Sequence, residues 1–193
     1  MPLQHIDSLL QDFHHLATVF FQENNQTIRQ LIKVMVQALE GGQKLIFFGN
    51  GGSAAQAQHL AAEFVNRFLI DRQPLAALAL TCDSSVVTSI ANDYRFDDIF
   101  LRQLQALGRP GDVAVGLSTS GTSVNVTRAL EYAGKHQLIT AGFLGNDGGT
   151  CKQACDYPLV VNSSDTPRIQ EVHLLLGHLL CEVVEREVCT RTC

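Results

Sequence analysis

From Ile6 to Phe21 the apolar residues Ile6, Leu9, Leu10, Phe13, Leu16, Ala17, Phe20 and Phe21 recur every three or four positions, the spacing that lines one face of an α-helix. A second stripe, Ile28, Leu31, Ile32, Met35 and Val36, predicts a helix over 25–39 that stops at Gly41-Gly42, a natural C-terminal breaker. The pattern thus predicts an N-terminal helical pair within residues 1–42. From Lys44 the rhythm changes. Five short apolar runs, Lys44–Phe48, Ala76–Leu80, Asp112–Leu117, Leu138–Leu144 and Tyr157–Val161, alternate with segments of helical pattern or composition, which reads as strands of a parallel sheet. Parallel strands need crossovers and are covered on both faces, so the expected fold is α/β, a three-layer sandwich around a five-stranded parallel sheet with right-handed crossovers. A final helix over 168–188 is apolar around much of its circumference and is expected to be buried between subunits.

The length of 193 residues fits a single domain over 1–193, with residues 1–42 used in oligomerisation and 43–193 as the α/β core. With 46% hydrophobic and 17% charged residues the chain can bury a large interior and hide further surface by association. No apolar run approaches the ~18 residues of a membrane span, which argues against a membrane role. The net charge of −5 repels a polyanion and argues against nucleic acid as the main partner. Met1-Pro2-Leu3-Gln4-His5-Ile6-Asp7 lacks the basic and then apolar pattern of an export signal, so a cytoplasmic location is expected. The six cysteines are read mostly as free thiols, because the core is too large to need a disulfide framework. Cys151/Cys155 and Cys189/Cys193 lack the tighter Cys-x-x-Cys spacing common in zinc knuckles.

Candidate chemistry starts where the first strand ends. Lys44–Phe48 runs into Gly49-Asn50-Gly51-Gly52-Ser53 and then into Ala54-Ala55-Gln56-Ala57, a strand, a glycine loop and a helix start. Glycines let the backbone approach a ligand, and the first helical turn presents N–H groups and a positive dipole end to an anion. Ser53, expected at the N-cap, adds a hydroxyl. The glycines are equally compatible with a tight turn alone. The third strand ends in Ser118-Thr119-Ser120-Gly121-Thr122-Ser123, five hydroxyls in six residues, and a second such cradle favours a phosphorylated ligand held at the carboxyl ends of parallel strands. NAD and ATP fit less well. The dinucleotide fingerprint wants an acid about twenty residues on, at the end of the second strand, and the triphosphate loop wants a Lys directly before its Ser or Thr; Asp71 is early, Asp83 late, and Gly52 precedes Ser53.

His59 and Glu63 are four apart, so both leave one face of the helix after the glycine loop. They suit a shared divalent ion, zinc above all, or a plain surface hydrogen bond. The closing helix supplies Gln170, Glu171, His173 and His178. A His on an apolar helix is commonly a core residue, and His178/Glu182 is a competing four-residue pair. Gln170 and His178 stand roughly 12 Å apart along a straight helix and about 80° apart around it, so a shared ion would need long side chains, a frayed helix start or a second subunit.

Gly49-Asn50-Gly51-Gly52-Ser53 with His59 and Glu63, Ala91-Asn92-Asp93, Ser118-Thr119-Ser120-Gly121-x-Ser123, and Arg168-Ile169-Gln170-Glu171-Val172-His173 with His178 together resemble the phosphoheptose isomerases of the sugar isomerase (SIS) domain superfamily. The likeness spans nearly the whole chain. It implies a homotetramer with sites at subunit interfaces and one Zn2+ per subunit, held by His59, Glu63, Gln170 and His178. It implies sugar-phosphate contacts from Asn50, Gly51, Gly52, Asn92, Asp93, Ser118, Thr119, Ser120, Ser123 and Gln170. The implied reaction converts D-sedoheptulose 7-phosphate to D-glycero-D-manno-heptose 7-phosphate, towards the activated heptose of lipopolysaccharide. For that aldose–ketose exchange, Glu63 is the candidate base and His178 the candidate acid, with zinc stabilising enediolate charge. Because both are also implied ligands, metal binding and proton transfer compete or alternate.

Asn66-Arg67-Phe68 and Ile90-Ala91-Asn92-Asp93 also resemble a non-catalytic relative, the DnaA initiator-associating protein, a scaffold whose partner is the initiator. Its pattern lacks the acid and imidazole that stand here at Glu63 and His178, which favours the enzyme over a scaffold or a sugar-phosphate sensor. One departure from the isomerases is Pro167, which leaves no acid directly before Arg168 to meet sugar hydroxyls.

Overall fold

The computed structural model describes residues 5–191. Met1–Gln4 and Cys193, with its Cys189 pairing, lie outside the described residues. The N-terminal pair is a single helix, α1, His5–Glu40, which corrects the expected two. Gln22-Glu23-Asn24-Asn25 interrupts the apolar stripe but contains no proline or glycine, so nothing interrupts the backbone ladder. α1 buries Ala17, Phe20, Ile28, Leu31, Met35, Val36 and Ala38.

The rest is strands β1 (Leu45–Gly49), β2 (Ala77–Ala79), β3 (Val113–Ser118), β4 (Ile139–Gly145) and β5 (Tyr157–Val161), joined by helices α2 (Gly52–Val65), α3 (Ser84–Asp93), α4 (Ile99–Leu107), α5 (Val124–Lys135) and α6 (Gly149–Gln153) and closed by α7 (Thr166–Arg191). All five strands are parallel, in the order β2-β1-β3-β4-β5. Alternate residues of each strand feed two cores. Leu45, Phe47, Val113, Val115, Leu117 and Phe143 pack under α1, α2 and α7, while Ile46, Phe48, Ala114 and Leu144 pack under α3, α4, α5 and α6. This is the expected three-layer sandwich.

The strand order matters for function. The chain leaves β1 towards β2 on one side and then returns to β3 on the other, so β1 and β3 flank the point where strand order reverses. Open α/β sheets bind ligands in the crevice at the carboxyl ends of such strands, and both loops with candidate chemistry leave from there.

α7 is buried by its own chain. Ile169, Val172, Leu176, Leu180, Val184 and Val188 join the core shared with α1, α2 and the sheet, so its own chain supplies much of the burial that was expected between subunits. Only part of its apolar surface remains open, chiefly Leu175 at 42% exposure.

Candidate active site

The first loop turns sharply. Gly51, at the N-cap of α2, has φ 57°, a left-handed conformation that costs a side-chain-bearing residue energy. The N-cap is therefore Gly51, not Ser53, which sits one residue inside the helix and is buried. A methyl group added at Gly52 would collide with the side-chain amide of Gln170, so this glycine makes room for a candidate site residue. Because the colliding atoms are the far end of a flexible side chain, Gly52→Ala is expected to shift the thermal midpoint little while displacing Gln170. Enzyme assays with sugar phosphate would read that displacement as a raised KM, and an unchanged KM would count against a binding role for Gln170.

The second loop is knitted by its own hydroxyls. Ser123 is the N-cap of α5 but makes no capping bond with its side chain; its Oγ lies 2.9 Å from that of Ser118. Ser118 and Ser120 are 3.4 Å apart, and Ser120 Oγ accepts from the backbone N–H of Thr122 at 3.2 Å. Thr119 turns its carbonyl to the side-chain amide of Asn146, at 3.0 Å. The result is a cluster of hydroxyls at a helix N-terminus, suited to an anion without bringing positive charge.

The two loops are clamped together. Asn50 and Asn125 exchange a pair of amide hydrogen bonds, each 2.9 Å, and Asn125 Oδ1 also accepts from the N–H of Val126. Asn125 is buried and was not among the sequence candidates, though it stands in the first turn of α5, two positions after Ser123. Asn125→Ala would leave the Asn50 amide without its partner, and a loss of about 1–3 kcal/mol in urea unfolding is expected.

His59, Glu63 and His178 converge within one chain. Helices α2 and α7 run side by side, and His59 Nε2 lies 2.8 Å from His178 Nε2 and 3.6 Å from Glu63 Oε1. The imidazoles meet edge to face. His178 therefore pairs with His59 and not with Glu182, whose carboxylate accepts from Arg186 at 3.0 Å. Gln170 is in the unfrayed helix α7, and its amide rests against Gly52, two turns of α2 before His59. The backbone carbonyl of Gln170 accepts from Gln56 Nε2 at 2.7 Å. The other two candidates, Asn92 and Asp93, are exposed at the end of α3, with Asn92 donating to Asp93 at 2.8 Å. Among the described residues no hydrogen bond joins them to the other candidates.

His173 is a core residue. Its ring is fully buried, Nε2–H donates to the carbonyl of Leu144 at 3.2 Å, and burial pushes its pKa down to about 4. It is neutral at pH 7 and remote in role from the His59–His178 pair. The cysteines of the described residues are free thiols, and burial raises Cys155 and Cys181 to about 12, which leaves them inert.

Imidazole and carboxylate donors gathered around His59 Nε2 are the donor chemistry zinc takes. The 2.8 Å between the imidazole nitrogens is a hydrogen-bond spacing, whereas two nitrogens of a tetrahedral zinc site stand about 3.3 Å apart. Among the described residues no three His, Cys, Asp or Glu side chains already stand in coordinating geometry. A small opening of the imidazole pair and closure of Glu63 would be needed. By donor type and convergence His59, Glu63 and His178 fit the ion, whereas Gln170 brings an amide oxygen of suitable type but does not share their convergence in this chain.

Comparison with known proteins identifies the family. The SIS domain family matches residues 10–145. A phosphoheptose isomerase of Clostridium acetobutylicum is 50% identical over 163 residues, covering 84% of this chain and 83% of that protein. One from Aquifex aeolicus is 45% identical over 190 residues, covering 98% and 100%. The solved phosphoheptose isomerase of Neisseria gonorrhoeae superimposes with a TM-score of 0.90 at 37% identity, over 96% of this chain and 100% of that one. That of Francisella tularensis does so with 0.92 at 33% identity, over 96% and 99%. With likeness in sequence and fold along almost its full length, the chain belongs to the phosphoheptose isomerase family of SIS-domain proteins.

Proposed function

We infer that the protein interconverts D-sedoheptulose 7-phosphate and D-glycero-D-manno-heptose 7-phosphate through an enediol. The observation that carries this reading is the convergence of Glu63 and His178 on one His59 nitrogen, beside loops built for a sugar phosphate. The phosphate is assigned to Ser118, Thr119, Ser120 and Ser123, whose hydroxyls and helix N-terminus offer donors without net charge. Asn50, Gly51, Gly52 and Ser53, with Asn92, Asp93 and Gln170, are assigned to the sugar.

In the forward direction Glu63 removes a proton from carbon 1 of the open-chain ketose, leaving the electron pair to form the enediol double bond. The carbonyl oxygen at carbon 2 takes up a proton to complete the enediol; the carbon 1 hydroxyl then gives up its proton as the aldehyde forms while His178 delivers a proton to carbon 2, so that two protons leave and two arrive. Each positioned proton transfer of this kind contributes roughly 10²–10⁴-fold. His59, Glu63, Gln170 and His178 are the residues assigned to Zn2+, one per subunit, which when bound would stabilise negative charge on the enediolate oxygens.

The arrangement in one chain is open. His59 and Glu63 side chains are 42% and 24% exposed, and Val65 and Leu69 after Glu63 and Leu175 before His178 leave apolar surface uncovered. A homotetramer that closes the site at subunit interfaces accounts for both. The proposed setting is the cytoplasm and an early step towards lipopolysaccharide heptose; no helix among the described residues is long and apolar enough to cross a membrane. The scaffold alternative, with the initiator protein as partner, has no use for the Glu63–His59–His178 convergence. Incubating purified protein with sedoheptulose 7-phosphate, before and after chelation and with zinc restored, is expected to give aldose product that falls on chelation and returns with zinc. A protein with no turnover in any of these states that still bound the initiator would replace the enzyme with the scaffold.

A further inference from the structure

The turn between α2 and β2 is held by a buried ion pair with an unusual number of partners. Glu185 on α7 accepts from three successive backbone N–H groups, Phe68 at 2.8 Å, Leu69 at 2.7 Å and Ile70 at 2.9 Å, and from Arg72 Nε at 2.9 Å. The side chains of Arg72 and Glu185 are 5% and 1% exposed. A buried ion pair is a poor source of net stability, so what it fixes in place is the better clue to its role.

It fixes both halves of the proposed acid–base pair. The Arg72 guanidinium donates to the carbonyls at the end of α2, with Nη1 to Phe64 O at 2.9 Å and Nη2 to Glu63 O at 3.1 Å. The backbone that carries the proposed base is thereby tied down. Glu185, for its part, pins the loop bearing Phe68, whose ring lies 5.5 Å from the His178 ring at a 34° tilt. His178 and Glu185 are seven residues apart on α7, two helical turns along one face. A single carboxylate–guanidinium pair therefore reaches the base through its backbone and the acid through the aromatic ring laid against it.

We propose that Glu185, Arg72 and Phe68 are positioning residues for the isomerase reaction, setting the orientation of the His178 ring relative to Glu63. This rests on the isomerase reading, in which those two groups move the protons. Proton transfer is sensitive to placement, and an error of about 1 Å can cost on the order of 10²-fold. None of the three need touch substrate, so their effect falls on turnover rather than on binding.

The test uses the full chain with Phe68→Leu, Phe68→Tyr and Glu185→Gln, each checked for folding by circular dichroism. Phe68→Leu leaves the ion pair intact, so it remains decisive if Glu185→Gln does not fold. With sedoheptulose 7-phosphate, Phe68→Leu is expected to lower kcat by roughly 10-fold or more with KM within about twofold, and Phe68→Tyr, which restores the ring, to recover most of the loss. Ring-labelled histidine NMR at fixed pH supplies a readout that needs no turnover. His178 signals should move in Phe68→Leu and, where it folds, in Glu185→Gln, while those of the core residue His173 stay in place. Wild-type kcat together with unmoved His178 signals in Phe68→Leu would overturn the proposal. An inactive wild type would instead overturn the isomerase reading, with the NMR result still deciding whether the three residues set the ring.

Discussion

Glu63→Gln and His178→Gln are each expected to lower kcat by roughly 10²–10⁴-fold, the usual contribution of a positioned proton-transfer group. Both side chains are partly exposed in the single chain, and neither replacement removes core volume, so the variants should fold. The pair should also be non-additive. Groups that act in sequence on one substrate lose most of the rate when either is gone, so the double variant should be little slower than the worse single one. His59→Gln provides a useful contrast, since His59 is the hub that both touch but carries no proton in the proposed reaction. Its loss should act through the geometry of its partners and through zinc retention, measured as metal content after gel filtration. Full activity in both single variants would remove the acid–base assignment.

Mild acid should weaken the fold well before the usual carboxylate range, because of a histidine outside the catalytic group. His173 has its pKa lowered from 6.5 to about 4 by burial, so between those values the unfolded chain binds a proton that the folded chain does not. Protonation there favours unfolding. The contribution of His173 is complete above pH 6.5 and is lost progressively as pH falls towards 4, on the order of 3 kcal/mol in total. Glu185 adds a second loss at lower pH. Burial alone would raise its pKa, but the three backbone donors and Arg72 outweigh that and hold it below the ordinary value of 4.5. A depressed acid stabilises the fold above its unfolded pKa, and that stability disappears as pH falls through its folded pKa. Urea midpoints measured at intervals from pH 7.5 to 3.5 should fall in the upper part of this range, and His173→Leu should flatten that part of the curve. An unchanged slope in the variant would mean that another group titrates there.

Much of the architecture was legible in the sequence because apolar period and covering requirements dictate it. Tyr157–Val161 was placed as a strand with its observed bounds. The runs beginning at Lys44 and Asp112 start one residue early for a specific reason. The Asp112 carboxylate accepts from Lys44 N–H at 3.0 Å and Lys44 Nζ at 2.6 Å, so this pair ties the two strand entries together through a side chain. The split of α1 was misread because polar residues break an apolar stripe without breaking a helix, and Asn24 even returns its side-chain amide to Phe20 O at 2.9 Å.

The site was legible in part. Local spacing identifies His59 with Glu63 and the two strand-ending loops, since each signal lies within a few residues. That His178 would meet His59, 119 residues away, depends on α2 and α7 lying side by side, which no local pattern encodes. Asn125, Phe68 and Glu185 were missed for the same reason. An Asn in the first turn of a helix and a Glu in a closing helix look ordinary until the Asn50 amide 75 residues away and the backbone of residues 68–70 are placed against them. That its own chain buries Ile169, Val172, Leu176 and Leu180 of α7 was not legible, because composition reports how much surface must be hidden and not by what.

The central claim is that two different groups, drawn together by α2 and α7, take a proton from carbon 1 and give one to carbon 2. Running the reaction with sedoheptulose 7-phosphate in D2O and reading the aldose by NMR tests it most directly. If the donor at carbon 2 is a separate group in exchange with water, the product carries solvent deuterium there, close to one per molecule, and Glu63→Gln forms almost none of it. Aldose that keeps at carbon 2 the hydrogen removed from carbon 1 would contradict the account, because one group would then be carrying the proton across.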